Sequence, residues 1–202
     1  FIKTPVKSMN DFLPSDMRLR EYVISVIKET YRNFGFAQIE TPLVEHIENL
    51  QSKQGGENEK LIFKILKRGD KLDIDSAKVD TDLVDSGLRY DLTLPLARYY
   101  ANNSEQLFTP FKALQIGNVF RADRPQKGRF RQFTQCDIDI LGDDTMLAET
   151  ELISATSTLL LKLGFEGFRV RVKDRKILKD MASSCNMPED RLSLVYNSLD
   201  FF

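Results

Sequence analysis

Five cations fall within eleven positions of one short stretch: Arg121, Arg124, Lys127, Arg129 and Arg131, interrupted by the carboxylate of Asp123. The chain as a whole has 29 Lys and Arg against 30 Asp and Glu, a net charge of -1, so this is a local concentration and not part of a basic surface. A polyanion would have to be held here, because the rest of the chain offers no general attraction for one. Arginine forks match phosphate oxygens in pairs, which makes phosphate the natural ligand of the cluster. Residues 129–141 alternate with a period of two. One face would carry Arg129, Arg131, Phe133, Gln135, Asp137, Asp139 and Leu141; the other would carry Phe130, Gln132, Thr134, Cys136, Ile138 and Ile140. The first row runs from guanidinium groups past one aromatic ring to an amide and two carboxylates. That order suits a phosphate, then a flat base, then a cationic group. A solvated strand face would carry the same residues, and the row alone leaves both readings open. In GLRYDLT (87–93), Arg89, Asp91 and Thr93 would share a second polar strand face. Two such rows together point to a polar cleft for a nucleotide and a small zwitterion.

Other chemistries find less support. His46 is the single histidine, and Cys136 and Cys185 are far apart, which argues against a zinc cage or a disulfide framework. His46 reads as a surface or packing residue and Cys136 as an inert buried thiol on the apolar face. No window approaches ~18 consecutive apolar residues and no secretory leader is legible, so a cytoplasmic protein without a membrane span is expected.

The elements that must position these residues follow from periodicity and punctuation. Pro14, Ser15 and Asp16 open a helix whose stripe is Leu19, Tyr22, Val23, Val26, Ile27, Thr30, Tyr31 and Phe34, with Gly35 as its cap. Strands are expected at 36–40, 61–66, 87–93, 111–122, 129–141 and 168–173. Loops are expected at 51–60 and 73–87. Helices are expected at 95–103, where Pro95 opens the first turn, and at 145–163, packed through Met146, Leu147, Leu152, Ile153, Leu160 and Leu161. Asp174 caps a further helix to about Ala182, and Pro188 opens another. A long helix, antiparallel strands and more helices without a strand–helix–strand rhythm predict an α+β fold, an antiparallel sheet flanked by helices.

The stretch FRADRPQKGRFRQFTQCDIDILG resembles motif 2 of class II aminoacyl-tRNA synthetases, and its RPQKGR core resembles the histidyl-tRNA synthetase family in particular. LRYDLTLPLARYYANN resembles the first histidine-binding stretch of that family. MNDFLP (9–14), the long helix and TPLVE (41–45) resemble its lead-in and motif 1. The resemblance implies a class II catalytic fold, ATP-dependent activation of histidine with Mg²⁺, transfer to tRNA(His), and a homodimer. By motif position it implies that Arg121 holds the ATP α-phosphate and the histidine carboxylate. Asp123, where the family more often has Glu, would lie by the adenine, Arg129 would reach the terminal phosphate, and Phe133 would stack on the base. Asp91, Thr93, Gln135 and Asp139 would hold the polar groups of histidine. The Mg²⁺ ligands are not singled out. The family's second histidine-binding segment, motif 3 and anticodon-binding domain are not seen. Residues 1–173 are therefore expected to form the catalytic core with motifs 1 and 2, and 174–202 a helical segment leading to a missing remainder, in a truncated or shortened relative. Two rival functions stand beside this one. A non-catalytic relative could sense histidine as a regulatory subunit of ATP phosphoribosyltransferase. A plain RNA-binding module could use the basic hairpin, with binding that weakens steeply in salt.

Overall fold

The computed structural model describes residues 1–51, 57–123 and 127–172, with positions 177, 180, 181 and 184 beyond them. The chain divides into two compact units, Phe1–Gly164 and Phe165–Phe202. The first unit holds both sheets and the candidate site. Its elements are α1 (Pro14–Asn33), β1 (Ala37–Ile39), β2 (Val44–His46), α2 (Ile47–Leu50), β3 (Phe63–Leu66), β4 (Val84–Leu88), α3 (Thr93–Asn103), β5 (Phe111–Phe120), β6 (Gln132–Leu141) and α4 (Met146–Lys162). One sheet has the order β1-β5-β6 and the other β2-β4-β3. All strand pairs are antiparallel except β1 with β5. The long stretch of chain between β1 and β5 permits that parallel pair, which no tight turn could join. No helix of the described residues is long and apolar enough to cross a membrane.

The β5–β6 hairpin separates two environments. Its even-numbered face packs under α1 and α4, where Tyr31, Phe36, Leu114, Ala155 and Leu159 are buried and Ile116, Cys136, Ile138 and Ile140 lie against them. Burial of the Cys136 thiol pushes it up to about 11, so it stays a protonated packing group. α1 begins where Pro14 takes the first turn and the Leu13 N–H is accepted by Asp16 Oδ2 at 3.2 Å. It ends at Gly35, whose φ of +83° is easily reached only by glycine.

The expected packing stripes need correction. Leu19 and Tyr22 are 65% and 61% exposed, so only the C-terminal half of α1 reaches the core. On α4, Met146, Leu147, Ile153 and Leu161 are exposed, and the buried seam is Ala148, Ala155 and Leu159. Its apolar and polar residues are both spread round the helix, so its pattern does not say which face turns inward. The strand expected at 87–93 ends at Leu88, and α3 begins at Thr93. The loop expected at 73–87 contains most of β4. Residues 168–172 join no described strand, although they alternate; alternation permits pairing but does not supply a partner. The helix expected from Asp174 is described only at Ile177, Asp180 and Met181, which are helical, and the one opened by Pro188 lies outside the described residues.

Candidate active site

The odd-numbered face of the hairpin forms the floor of the site. Register pairs Phe133 with Val119, Gln135 with Gly117, Asp137 with Gln115 and Asp139 with Ala113. Small residues at 113 and 117 make room over the floor: the Arg89 guanidinium lies against Gly117, where an added Cβ would fall 2.2 Å from Nη2, and Ala113 is fully buried. Beyond Leu88 the chain does not continue as a strand, yet it ties the two sheets together. The Arg89 N–H is accepted by Leu43 O at 2.9 Å, and Arg89 O accepts the Phe120 N–H at 2.9 Å.

Arg89 is therefore a structural residue. It is 3% exposed. Its Nε donates to Asn118 O at 2.9 Å, and Nη1 donates to Thr41 O at 2.8 Å and Thr41 Oγ1 at 3.0 Å. Burial lowers its pKa, against the opposing charges of Glu40 and Glu45. Thr93 stands exposed in the first turn of α3. The expected row of Arg89, Asp91 and Thr93 is thus not a strand face. Asp91 Oδ1 accepts the Leu94 N–H at 3.3 Å, and its charge adds to the burial that raises the Asp137 carboxyl.

Arg121 lies where the basic and acidic ends of the floor meet. Its Nε donates to Tyr90 O at 3.0 Å, and its guanidinium carbon sits 5.1 Å from the centre of the Phe133 ring. These contacts fix its direction and leave the guanidinium's terminal NH₂ groups for a ligand. A cleft of about 500 Å³ opens beside it, lined by Leu61, Arg121, Asp123, Gly128, Arg129, Phe130 and Phe133. Backbone bonds hold its walls: Ala122 N–H to Leu61 O at 2.8 Å, Arg121 N–H to Arg131 O at 2.9 Å and Arg131 N–H to Ser8 O at 2.7 Å. Arg131 Nε also donates to Asp123 O at 3.2 Å.

The acidic end has different needs. Gln135 Nε2 donates to Asp137 Oδ2 at 3.0 Å. Gln135 Oε1 and Asp139 Oδ2 are buried with no hydrogen-bond partner. Burial raises the Asp137 and Asp139 carboxyls above the ordinary carboxylate range, and the neighbouring carboxylate adds to the rise in each case. Unpartnered acceptors beside a cluster of carboxylates call for a ligand that donates hydrogen bonds and carries positive charge.

The structure thus brings Arg121, Asp123, Arg129 and Phe133 together on the cleft, and Asp91, Gln135 and Asp139 beyond it. Leu61 and Phe130 were not anticipated. Phe130 was assigned to the apolar face by alternation, but β6 starts only at Gln132, so the alternation does not govern it. Arg124 lies outside the described residues. Among the described residues no set of three His, Cys, Asp or Glu side chains could hold a metal.

Comparison with known proteins is consistent along the whole chain. Residues 8–200 match the family model described as histidyl-tRNA synthetase. A histidine–tRNA ligase of Leifsonia xyli is 45% identical over 201 residues, covering 98% of this chain and 47% of the relative. That of Porphyromonas gingivalis is 41% identical, with coverage of 96% and 44%. The crystal structure of histidyl-tRNA synthetase from Nostoc superposes with a TM-score of 0.79 at 29% identity, covering 98% of this chain and 43% of that one. The chain spans about half the length of the curated relatives it matches.

Proposed function

The chain belongs to the histidyl-tRNA synthetase family, and on that premise we propose that it supplies the ATP- and histidine-binding floor of a histidine–tRNA ligase. The observation that carries this reading is the position of Arg121, anchored by Tyr90 O and the Phe133 ring between a basic cleft and a buried acidic end. In the proposed reaction a histidine carboxylate oxygen attacks the α-phosphorus of ATP. A new P–O bond forms, the bond to the β-phosphate breaks, and pyrophosphate leaves. A ribose hydroxyl at the 3′ end of tRNA(His) then attacks the activated carbonyl and AMP leaves. Both reactants of the first step are anions, so the site must hold them together and spread charge on the reacting phosphate. Arg121 faces both and neutralises part of each. Phe133 offers its ring to adenine, Asp123 lies near that base, and Arg129 reaches the outer phosphate from the exposed turn. Gln135 Oε1 and the carboxylates of Asp91 and Asp139 receive the ammonium and imidazole N–H groups, with Thr93 at the rim. Mg²⁺ supplies further neutralisation of the phosphates when bound.

The same reading carries a homodimer, in the cytosol where tRNA is charged. A histidine sensor would need the acidic end but would have no use for a phosphate cleft beside it. The test is histidine-dependent exchange of pyrophosphate into ATP by the complete gene product. Exchange with histidine and not with other amino acids is the expected result. Histidine binding without exchange would favour the sensor.

A further inference from the structure

Gln135 could present either end of its amide to the buried acidic end of the floor, and the two choices recognise opposite ligands. With its oxygen outward the side chain accepts a hydrogen bond; with its nitrogen outward it donates one. The strand face does not decide between them: Gly117 lies opposite in register with the Arg89 guanidinium against it, and Gln135 Oε1 makes no hydrogen bond there. Asp137 does decide. An ionised carboxylate can only accept, so the Gln135 nitrogen must turn toward it, and the 3.0 Å bond between Nε2 and Oδ2 has this sense. The carbonyl oxygen is then left buried and unpartnered. The opposite rotamer would set that oxygen against the carboxylate and lose the bond.

We infer that Asp137 is a positioning residue for the amino-acid end of the site: its carboxylate locks the amide of Gln135 so that an acceptor, and not a donor, faces the ligand. This rests on the reading that the acidic end takes the ammonium or imidazole N–H of histidine. Asp139 leaves a second unpartnered acceptor on the same face, four residues beyond Gln135. The two together select a ligand that donates at both points. Asp137 itself spends one oxygen on the amide, which separates its role from that of Asp139. Burial raises the Asp137 carboxyl, and the bond from Gln135 and then the Arg121 charge offset part of that rise.

The test uses Asp137→Asn and the exchanged pair Gln135→Glu with Asp137→Asn, both in the complete gene product. Asparagine at 137 can offer its NH₂ to Gln135 Oε1 as readily as its Oδ1 to Gln135 Nε2, so the amide is no longer held in one sense. The exchanged pair remakes the bond in reverse, keeps the net charge, and restores an acceptor toward the ligand. The Gln135 side-chain NH₂ resonances, read by NMR without ligand, should show one hydrogen-bonded proton in the wild type and lose that signature in Asp137→Asn. Histidine affinity by calorimetry should fall about tenfold or more in the single variant, as loss of a hydrogen bond to a charged group implies. It should return to within about threefold of the wild type in the exchanged pair, with ATP affinity little changed throughout. An unmoved NH₂ signature, wild-type histidine affinity in Asp137→Asn, or no recovery in the exchanged pair would each overturn the inference. A wild type that shows the NH₂ signature but binds no histidine would sink the proposed function and leave the amide lock standing.

Discussion

Arg121 sits where the basic cleft meets the acidic end of the floor and Asp139 lies within that acidic end, and neutralising each should do different damage. Arg121→Ala removes a charge held in place by Tyr90 O and the Phe133 ring. Losing one well-aimed donor costs roughly 3–4 kcal/mol of transition-state stabilisation. Histidine-dependent pyrophosphate exchange should therefore drop by roughly 10²–10³-fold, while the melting temperature stays near that of the wild type. A change of less than about fivefold would remove Arg121 from the chemistry. Asp139→Asn should weaken histidine and spare ATP, because the buried Oδ2 has no partner until a cation arrives. Its effect on stability has the opposite sign. Burial and Asp137 raise the Asp139 carboxyl in the folded protein, so the folded state binds more protons than the unfolded state just above the ordinary carboxylate range. Stability from this group is present at acid pH and lost as pH rises through the raised value. A neutral isostere removes that loss. Thermal melts at neutral pH should show Asp139→Asn slightly more stable than wild type without ligand, and less stabilised by added histidine. A variant destabilised at neutral pH and still stabilised normally by histidine would mean that Asp139 is a structural partner instead.

At the scale of elements, the site depends on how β4, β5 and the segment before β2 lock together around Arg89. A Cβ added at Gly117 would fall 2.2 Å from Arg89 Nη2. The end of an arginine is usually free to move aside, but this one is buried and held by Thr41 O and Asn118 O. Gly117→Ala should therefore displace the cage and destabilise the fold by about 2–4 kcal/mol, measured by denaturant unfolding. An effect under about 0.5 kcal/mol would show that Arg89 can swing out without loss. Gly117 and Arg89 also mark where the sequence stops being legible. The alternation of 132–141 gives both the face of β6 that packs under α1 and α4 and the face proposed to bind ligand, because one strand's side chains obey a fixed period whatever packs against them. Pro14 and Gly35 likewise bound α1 through local backbone chemistry. The segment 87–93 carries a similar alternation, yet residues 89–92 serve a cross-sheet link and a helix start. Nothing local distinguishes an arginine that meets carbonyls from one that meets a phosphate; both need the rest of the fold. α4 fails for a related reason: its inward face is chosen by Tyr31 and Leu114, which the helix's own sequence does not contain.

For the molecule as a whole, the proposed homodimer and the proposed chemistry share one segment. Leu43 and Val44, which follow Pro42 into β2, are 43% and 45% exposed, an apolar pair well placed to meet a twofold mate. The backbone of the same segment grips the site from behind. Thr41 O accepts from the Arg89 guanidinium and Leu43 O accepts the Arg89 N–H. Arg89 O in turn accepts the Phe120 N–H, and the next carbonyl, that of Tyr90, accepts from Arg121. A partner subunit that presses on Leu43 and Val44 would therefore stiffen a short chain of hydrogen bonds ending at the arginine proposed to face the reacting phosphate. Val44→Asp in the complete gene product should shift light scattering at micromolar concentration from dimer to monomer. If interface and site are coupled in this way, the monomer should still bind ATP through the exposed cleft, but exchange pyrophosphate about tenfold or more slowly, the loss expected when a catalytic group is no longer held in place. The two readouts separate the two claims. A variant that stays dimeric puts the interface elsewhere. A monomer with undiminished exchange shows that the floor holds Arg121 without help, because the hydrogen bonds from Thr41 to Tyr90 would then be sufficient within one subunit.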